Sequence, residues 1–191
     1  LGGADAHMVK SGNIHFIADN DEHAVAICKR LISFFPSNNL EDPPRYASEE
    51  PAQSDPRFYD IIPEETKLPY DVRDIVHLVA DNADFLEVQQ DFAMNIVIGF
   101  ARVGGRSVGI VANQPQVLAG ALDINASDKA ARFIRFCNAF NIPLVTLVDI
   151  PGFMPGVDQE HGGIIRHGAK MLHAYSSATV PKITVVMRKA Y

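Results

Sequence analysis

Pro143–Tyr175, PLVTLVDIPGFMPGVDQEHGGIIRHGAKMLHAY, is the stretch that decides the fold. Leu144–Val148 is an apolar run rich in β-branched side chains and predicts a strand buried in a sheet covered on both faces. Asp149 ends the run. Ile150–Gly163 then carries Pro151-Gly152, Pro155-Gly156 and Gly162-Gly163. Proline removes a donor and glycine relaxes the backbone, so this segment reads as a long loop. Ile164 opens an amphipathic helix with Ile165, Ala169 and Leu172 at helical spacing. Strand, glycine-bearing loop and helix in that order place a ligand at the carboxyl end of the strand. Loops longer than about a dozen residues in a compact domain are functional or disordered, and regularly placed Gly and Pro favour function.

Working outward, Asp71 predicts the cap of a short helix with Val72, Ile75, Val76 and Val79 inward. Phe85–Val88 reads as a weak strand. Asn95–Val103 and Ser107–Ala112 read as two strands joined at Gly104-Gly105, a pair suited to a hairpin turn with positive φ. Ser127 is expected to cap a helix that buries Ala130, Ala131, Ile134, Cys137 and Phe140. Lys182–Met187 is the last strand. This β-β-α-β-α-β order predicts an α/β layer arrangement. Upstream, Asn13–Ala18 reads as a short strand, Asp19 and Glu22 as a capping box, and Ala24, Ile27, Leu31 and Phe34 as one helix face stopped by Pro36. Seven of the twelve prolines fall between Pro36 and Pro69, which marks an extended connector. Its Tyr46, Phe58, Tyr59, Ile61 and Ile62 predict that it lies on a surface.

A chain of 191 residues with 47% hydrophobic and 21% charged residues can bury a core. The net charge of -6, without a basic stripe, excludes a nucleic-acid binder. No apolar run reaches the roughly 18 residues of a membrane span. Cys28 and Cys137 read as buried thiols of a reducing compartment. Leu1-Gly2-Gly3 and Arg188-Lys189-Ala190-Tyr191 lack a natural start and a capped end, so a piece of a longer polypeptide is expected.

Few side chains propose chemistry. Gly105-Arg106-Ser107-Val108-Gly109 matches the pattern of a nucleophile elbow, but its serine opens a strand after a hairpin, whereas an elbow needs strand, serine, helix. His161, His167 and His173 recur every six residues, which turns about 240° on a helix, so no metal site is expected. Asp123, Asp128, Asp149, Asp158 and Glu160 sit near caps and loop starts, where structural duty is commoner than catalysis. The backbone remains. Glycine loops beside helix N-termini expose N–H groups that can hold an oxyanion. They are equally compatible with tight packing.

Gly99–Pro115 (GFARVGGRSVGIVANQP), Leu122–Phe133 (LDINASDKAARF), Phe140–Leu144 (FNIPL), Asp149–Gly156 (DIPGFMPG), Gly162–Lys170 (GGIIRHGAK), Val180–Thr184 and Arg188–Tyr191 together resemble the carboxyltransferase β subunits of biotin-dependent acyl-CoA carboxylases. Leu1–Ala4, His7 and Ser11-Gly12 fit as well. The likeness runs to propionyl-CoA carboxylase β chains, with methylmalonyl-CoA decarboxylase α and 12S transcarboxylase subunits nearly as similar. It implies a crotonase-like ββα superhelix in two domains. Residues 1–35 would end the acyl-CoA-side domain, 36–70 would be the connector, and 71–191 would be the first half of the biotin-side domain.

The implied activity is carboxyl transfer from carboxybiotin to the α-carbon of an acyl-CoA, propionyl-CoA giving methylmalonyl-CoA. The same chemistry run as a decarboxylase or transcarboxylase, and a non-catalytic scaffold, are the alternatives. Biotin would arrive on a carrier domain or subunit, not bound covalently to this chain, with a coenzyme A thioester as the second substrate. Implied partners are a biotin carboxyl carrier or biotin carboxylase subunit and further copies of the chain, as dimers within a hexamer. The implied location is the bacterial cytoplasm or the mitochondrial matrix. In such enzymes a main-chain carbonyl in the P-G-F loop accepts the biotin ureido N–H. That role falls on Phe153, beside Gly152, with Pro151, Met154, Gly156, Gly162, Gly163 and Ile164 completing the binding surface. The oxyanion-hole Gly/Ala pairs of the family would lie before Leu1 and after Tyr191.

Overall fold

The computed structural model describes residues 2–48 and 55–191. Leu1 and the part of the connector around Pro51 lie outside the described residues. Five strands form one sheet in sequence order: β1 (Phe85–Val88), β2 (Ile96–Val103), β3 (Arg106–Asn113), β4 (Leu144–Ile150) and β5 (Lys182–Ala190). β1, β2 and β3 are antiparallel neighbours, whereas β3, β4 and β5 run parallel. Parallel neighbours need crossovers, and two helices supply them: α5 (Ile124–Ala139) between β3 and β4, and α7 (Ile164–Ser177) between β4 and β5. The β2–β3 hairpin turns at Gly104 and Gly105, with φ of 59° and 74°. Both turn N–H groups donate to the Asp81 carboxylate, at 3.0 and 2.7 Å.

β2 and β3 are covered on both faces, which is why they read as nearly continuous apolar runs. On one face Ile96, Ile98, Phe100 and Val111 join Ala130, Phe133, Ile134, Cys137 and Met171 from α5 and α7. On the other, Val97, Ala101, Ile110 and Ala112 meet Val72, Ile75 and Val76 of α4 (Val72–Val79). Asp71 caps α4, accepting from Arg73 N at 2.9 Å. β4 is less enclosed than expected. Leu144 and Leu147 are buried, but Val145, Thr146 and Val148 are half-buried, because Ile183, Val185 and Val186 of β5 lie exposed beside them.

Upstream, Ala4–Ala6 (α1) and a π-turn at His7–Ser11 precede α2 (Asp21–Ile32). Residues 13–18 are extended but form no strand; His15 only accepts a main-chain bond from Gln89. The α2 cap is Asn20, accepting from His23 N at 2.8 Å, rather than Asp19, which pairs instead with the His23 ring. Phe34 is fully buried after α2, stacked on Phe100 at 5.7 Å between centroids. Arg102 is sandwiched between the rings of Phe34 and Tyr46, at 4.2 and 4.4 Å. Tyr46 N also donates to Gly105 O at 2.9 Å. The described part of the connector lies on the surface as expected for most of its apolar residues: Phe58 and Ile61 of short α3 (Arg57–Ile61) and Ile62 pack against the α4 face, whereas Tyr59 is exposed. Cys137 is buried as expected, and burial pushes its thiol pKa up; Cys28 is exposed, because it points off the outer face of α2.

Candidate functional site: two loops at the ends of β3 and β4

The carboxyl ends of two adjacent parallel strands carry the two loops of interest, residues 114–123 after β3 and 151–163 after β4. They are zipped together by one isolated parallel bridge, Leu122 to Phe153. Leu122 N donates to Gly152 O at 3.2 Å, and Met154 N donates to Leu122 O at 2.8 Å. Peptide groups alternate direction along extended chain. With the Gly152 carbonyl turned toward Leu122, the Phe153 carbonyl is turned away from it. Among the described residues nothing donates to that carbonyl. A main-chain acceptor is thus held in a fixed orientation and left free.

The glycines set this geometry. Gly152 has φ 137°, where a side chain is strained, although an added Cβ would meet no atom within 4 Å. Gly156, φ 125°, starts a helix that the sequence reading missed, α6 (Val157–Gly162). The loop expected to run unbroken to Gly163 is therefore helical over its second half. Gly163, φ 93°, ends α6 and caps α7 at once. Its N–H donates to Gln159 O and Glu160 O, so that donor is already used. Gly162 packs against Ile124, whose Cδ1 would lie 2.6 Å from an added Cβ.

α7 is rotated by about one position from its expected face. Ile164, Gly168, Met171 and Ala174 are buried, while Ile165 and Leu172 are 78% and 63% exposed. The cause is Gly168, where an added Cβ would come within 2.9 Å of the Phe153 ring. The ring lies on the bare helix backbone, and the apolar side chains beside it stay outside. Phe153, Met154, Pro155, Ile165, Ala169 and Leu172 then line an open groove of about 420 Å³, with Ile164 at its floor and Glu160 at its edge. Pro151, Gly152 and Gly156 shape the approach to it without lining it. A larger cavity, about 720 Å³, lies between α2 and α5 and includes neither loop.

The carboxylates near these loops hold structure. Asp149 is buried and pairs with Arg188 Nε at 2.8 Å; its other oxygen accepts from Lys189 N at 3.2 Å, where β5 shifts register against β4. Arg188 also donates to Leu68 O and lies over the Tyr70 ring, tying the connector to the sheet. Burial and then the Asp149 charge raise the pKa of the Tyr70 phenol. Asp123, not Ser127, caps α5, accepting from Ala126 N at 2.8 Å; the helix begins a turn earlier than expected, and Ser127 only back-bonds to Asp123 O. Asp128 bridges His167 at 2.7 Å and Lys170 at 3.0 Å, pinning α7 to α5. Ser107 is buried as the second residue of β3, with no helix following it.

Leu122, Gly168 and the buried amides of Asn95 and Asn113 escaped the sequence reading. The lone glycine inside a helical pattern was the one available signal, since such a glycine usually has a packing reason.

The Carboxyl transferase domain family matches residues 1–191. The chain is 61% identical over 191 residues to the methylmalonyl-CoA carboxyltransferase 12S subunit of Propionibacterium freudenreichii subsp. shermanii, covering all of this chain and 36% of that one. It is 55% identical over 192 residues to the propionyl-CoA carboxylase carboxyltransferase subunit of Haloferax mediterranei, with 100% and 37% coverage. A crystal structure of transcarboxylase 12S, a hexamer with methylmalonyl-coenzyme A and methylmalonic acid bound, superposes with a TM-score of 0.97 at 60% identity, over 100% of this chain and 36% of that one. The chain thus spans a little over a third of the length of the relatives it matches. The mixed α/β arrangement is that of the crotonase-like carboxyltransferases. With the full length of the sequence matched, the chain belongs to the carboxyl transferase domain family.

Proposed function

We propose that the polypeptide carrying this chain performs the carboxyltransferase step of biotin-dependent acyl-CoA chemistry, and that Phe153 offers its main-chain carbonyl to biotin. The observation that carries this reading is the free Phe153 carbonyl, fixed by the two Leu122 bonds at the carboxyl end of a parallel strand. Biotin suits the place. Its ureido edge needs an acceptor, and its apolar body suits a groove lined by Phe153, Met154, Ile165 and Leu172. Carboxybiotin delivered by a carrier supplies carbon dioxide and, once freed, a ureido nitrogen able to take the acyl α-proton.

The residues of this chain bind and orient. The Phe153 carbonyl holds one ureido N–H, Gly152 and Gly156 allow the backbone turns that present it, and the groove wall excludes water from one side. We read residues 71–191 as part of the biotin-side domain, 36–70 as the connector and 1–35 as the end of an acyl-CoA-side domain. Phe34 and Phe35 then dock that end onto Phe100 and Phe136. The assembly is a homo-oligomer served by a biotin carrier subunit, in the bacterial cytoplasm or the mitochondrial matrix.

Propionyl-CoA and methylmalonyl-CoA form the substrate pair. The 61% identity to a methylmalonyl-CoA carboxyltransferase favours a second reading on the same site, with methylmalonyl-CoA as the carboxyl donor to the carrier. Methylmalonyl-CoA-dependent carboxylation of free biotin by the complete polypeptide tests both. Turnover that Gly152→Val lowers by about 10²-fold is expected. Turnover indifferent to that substitution would remove Phe153 from the site.

A further inference from the structure

Between β3 and Leu122 the chain makes a costly turn. Leu118, Ala119 and Gly120 have φ of 51°, 53° and 80°, three left-handed residues in succession, two of them with side chains. Strain of this kind persists only where the surroundings over-determine it, and it concentrates at functional sites. Main-chain bonds from Gly120 N to Val117 O and from Ala121 N to Leu118 O, at 2.9 and 3.0 Å, close the turn, and two buried amides anchor it to its surroundings. Asn113, at the end of β3 and 6% exposed, donates from Nδ2 to Gly120 O at 3.1 Å; its Oδ1 accepts from Asp149 N at 3.3 Å. One side chain therefore clamps the turn to the end of β4. Gly120 is pressed so close that an added Cβ would stand 2.5 Å from Asp149 O. From the other side Asn95, 2% exposed, donates to Ala121 O at 2.8 Å and to Asp123 at 3.3 Å. Leu122 lies between these anchor points; its N–H donates to Gly152 O and its carbonyl accepts from Met154 N, which orients residues 152–154.

We propose that Asn113, seconded by Asn95, is a positioning residue for the Phe153 carbonyl, acting through the strained turn at 118–120 and the Leu122 peptide. The inference rests on the assignment of that carbonyl to biotin. The amides never touch the ligand. Without the Gly120 anchor the turn relaxes toward ordinary φ, Leu122 moves, and the 152–154 peptides lose their fixed direction. A displacement near 1 Å in a positioned group costs about 10²-fold in rate.

The test uses Asn113→Asp, which keeps volume and acceptor but loses the donor to Gly120 O, and Asn95→Ala, which frees Ala121 from the opposite side. Both are made in the complete polypeptide. For either folded variant, kcat/KM for free biotin falls about 10- to 100-fold while KM for methylmalonyl-CoA stays within about 2-fold. Hydrogen exchange of the peptide spanning residues 151–156 speeds up, because the Met154 amide loses its hold on Leu122, and β2 and β3 keep their protection. Combined with Gly152→Val, Asn113→Asp adds no further loss, since both act on one element. Equal losses toward both substrates, additivity with Gly152→Val, or unchanged exchange at 151–156 would overturn the proposal. If Gly152→Val itself spares biotin kinetics, the assignment of Phe153 fails. If it damages them while the amide variants do not, only the role of the amides fails.

Discussion

Gly152→Val and Phe153→Ala separate the backbone of the loop from its side chain. An added Cβ at Gly152 would meet no atom within 4 Å, so the side chain's first carbon has room there. The penalty comes from φ 137°, a region that is nearly glycine-only and costs about 1–3 kcal/mol for other residues. The loop escapes that strain by turning the peptides on either side of residue 152. Doing so breaks the 3.2 Å bond from Leu122 N to Gly152 O, a net loss of about 1 kcal/mol, and rotates the Phe153 carbonyl with it. Relaxation cannot cost more than the strain that it relieves, so a destabilisation of about 1–3 kcal/mol is expected, which lowers Tm by roughly 2–12 °C for a chain of this size. The functional loss is larger, about 10²-fold in kcat/KM for biotin, because the acceptor no longer points at its donor. Phe153→Ala keeps the carbonyl and removes a ring that is 44% exposed and rests on Gly168; its loss stays below about 10-fold. The assay is methylmalonyl-CoA-dependent carboxylation of free biotin, with melting curves as the folding control. A folded Phe153→Ala variant that is far worse than Gly152→Val would show that the ring carries the function, and would refute the backbone reasoning.

Stability should also respond to pH and to one buried ion pair. Burial lowers the Lys129 pKa from 10.5 to about 8, while its ammonium donates to Phe92 O and Ile96 O at 2.6 and 2.8 Å. Between pH 8 and 10.5 the unfolded chain holds a proton that the fold has released, so this lysine adds about 1.4 kcal/mol of stability per pH unit as pH rises. Cys137, its pKa raised by burial from 9.0, acts oppositely above pH 9, and Tyr175, raised from 10.0 to about 12, does so above pH 10. Urea midpoints should therefore rise from pH 8 to 9, level off to pH 10 and fall beyond; Lys129→Met should abolish the rise, and a rise that survives would contradict the assignment. Arg188→Met strands the Asp149 carboxylate, both side chains being under a tenth exposed, and should cost about 3–5 kcal/mol. Adding Asp149→Leu should recover most of that loss in thermal melts, and no recovery would place the cost elsewhere.

Most of the fold was legible because both faces of β2 and β3 are covered: their apolar runs, the apolar run of the less enclosed β4 and the Gly104-Gly105 turn could be placed by pattern and turn chemistry alone. What failed was local competition between similar signals. Asp123 and Ser127 both suit a helix cap, and Asn95, 28 residues upstream of Asp123, favours the earlier one through its bond to that carboxylate. Asp19 and Asn20 compete in the same way ahead of α2. The α7 face was misread because hydrophobicity favoured Ile165 and Leu172, whereas contact with the Phe153 ring required the bare Gly168. The motifs around Asp149–Gly156 located the candidate site, but they could not show that Leu122 braces it. That bracing depends on pairing between residues about thirty apart, which has no local signature.

The central claim is that the Phe153 carbonyl receives the biotin urea. A crystal structure of the complete polypeptide soaked with free biotin measures it directly. A ureido nitrogen within about 2.7–3.2 Å of Phe153 O, with the Leu122 to Gly152 and Met154 bonds intact, is the expected result. Biotin bound with its urea turned from that carbonyl, or seated away from the 151–156 loop, would contradict it.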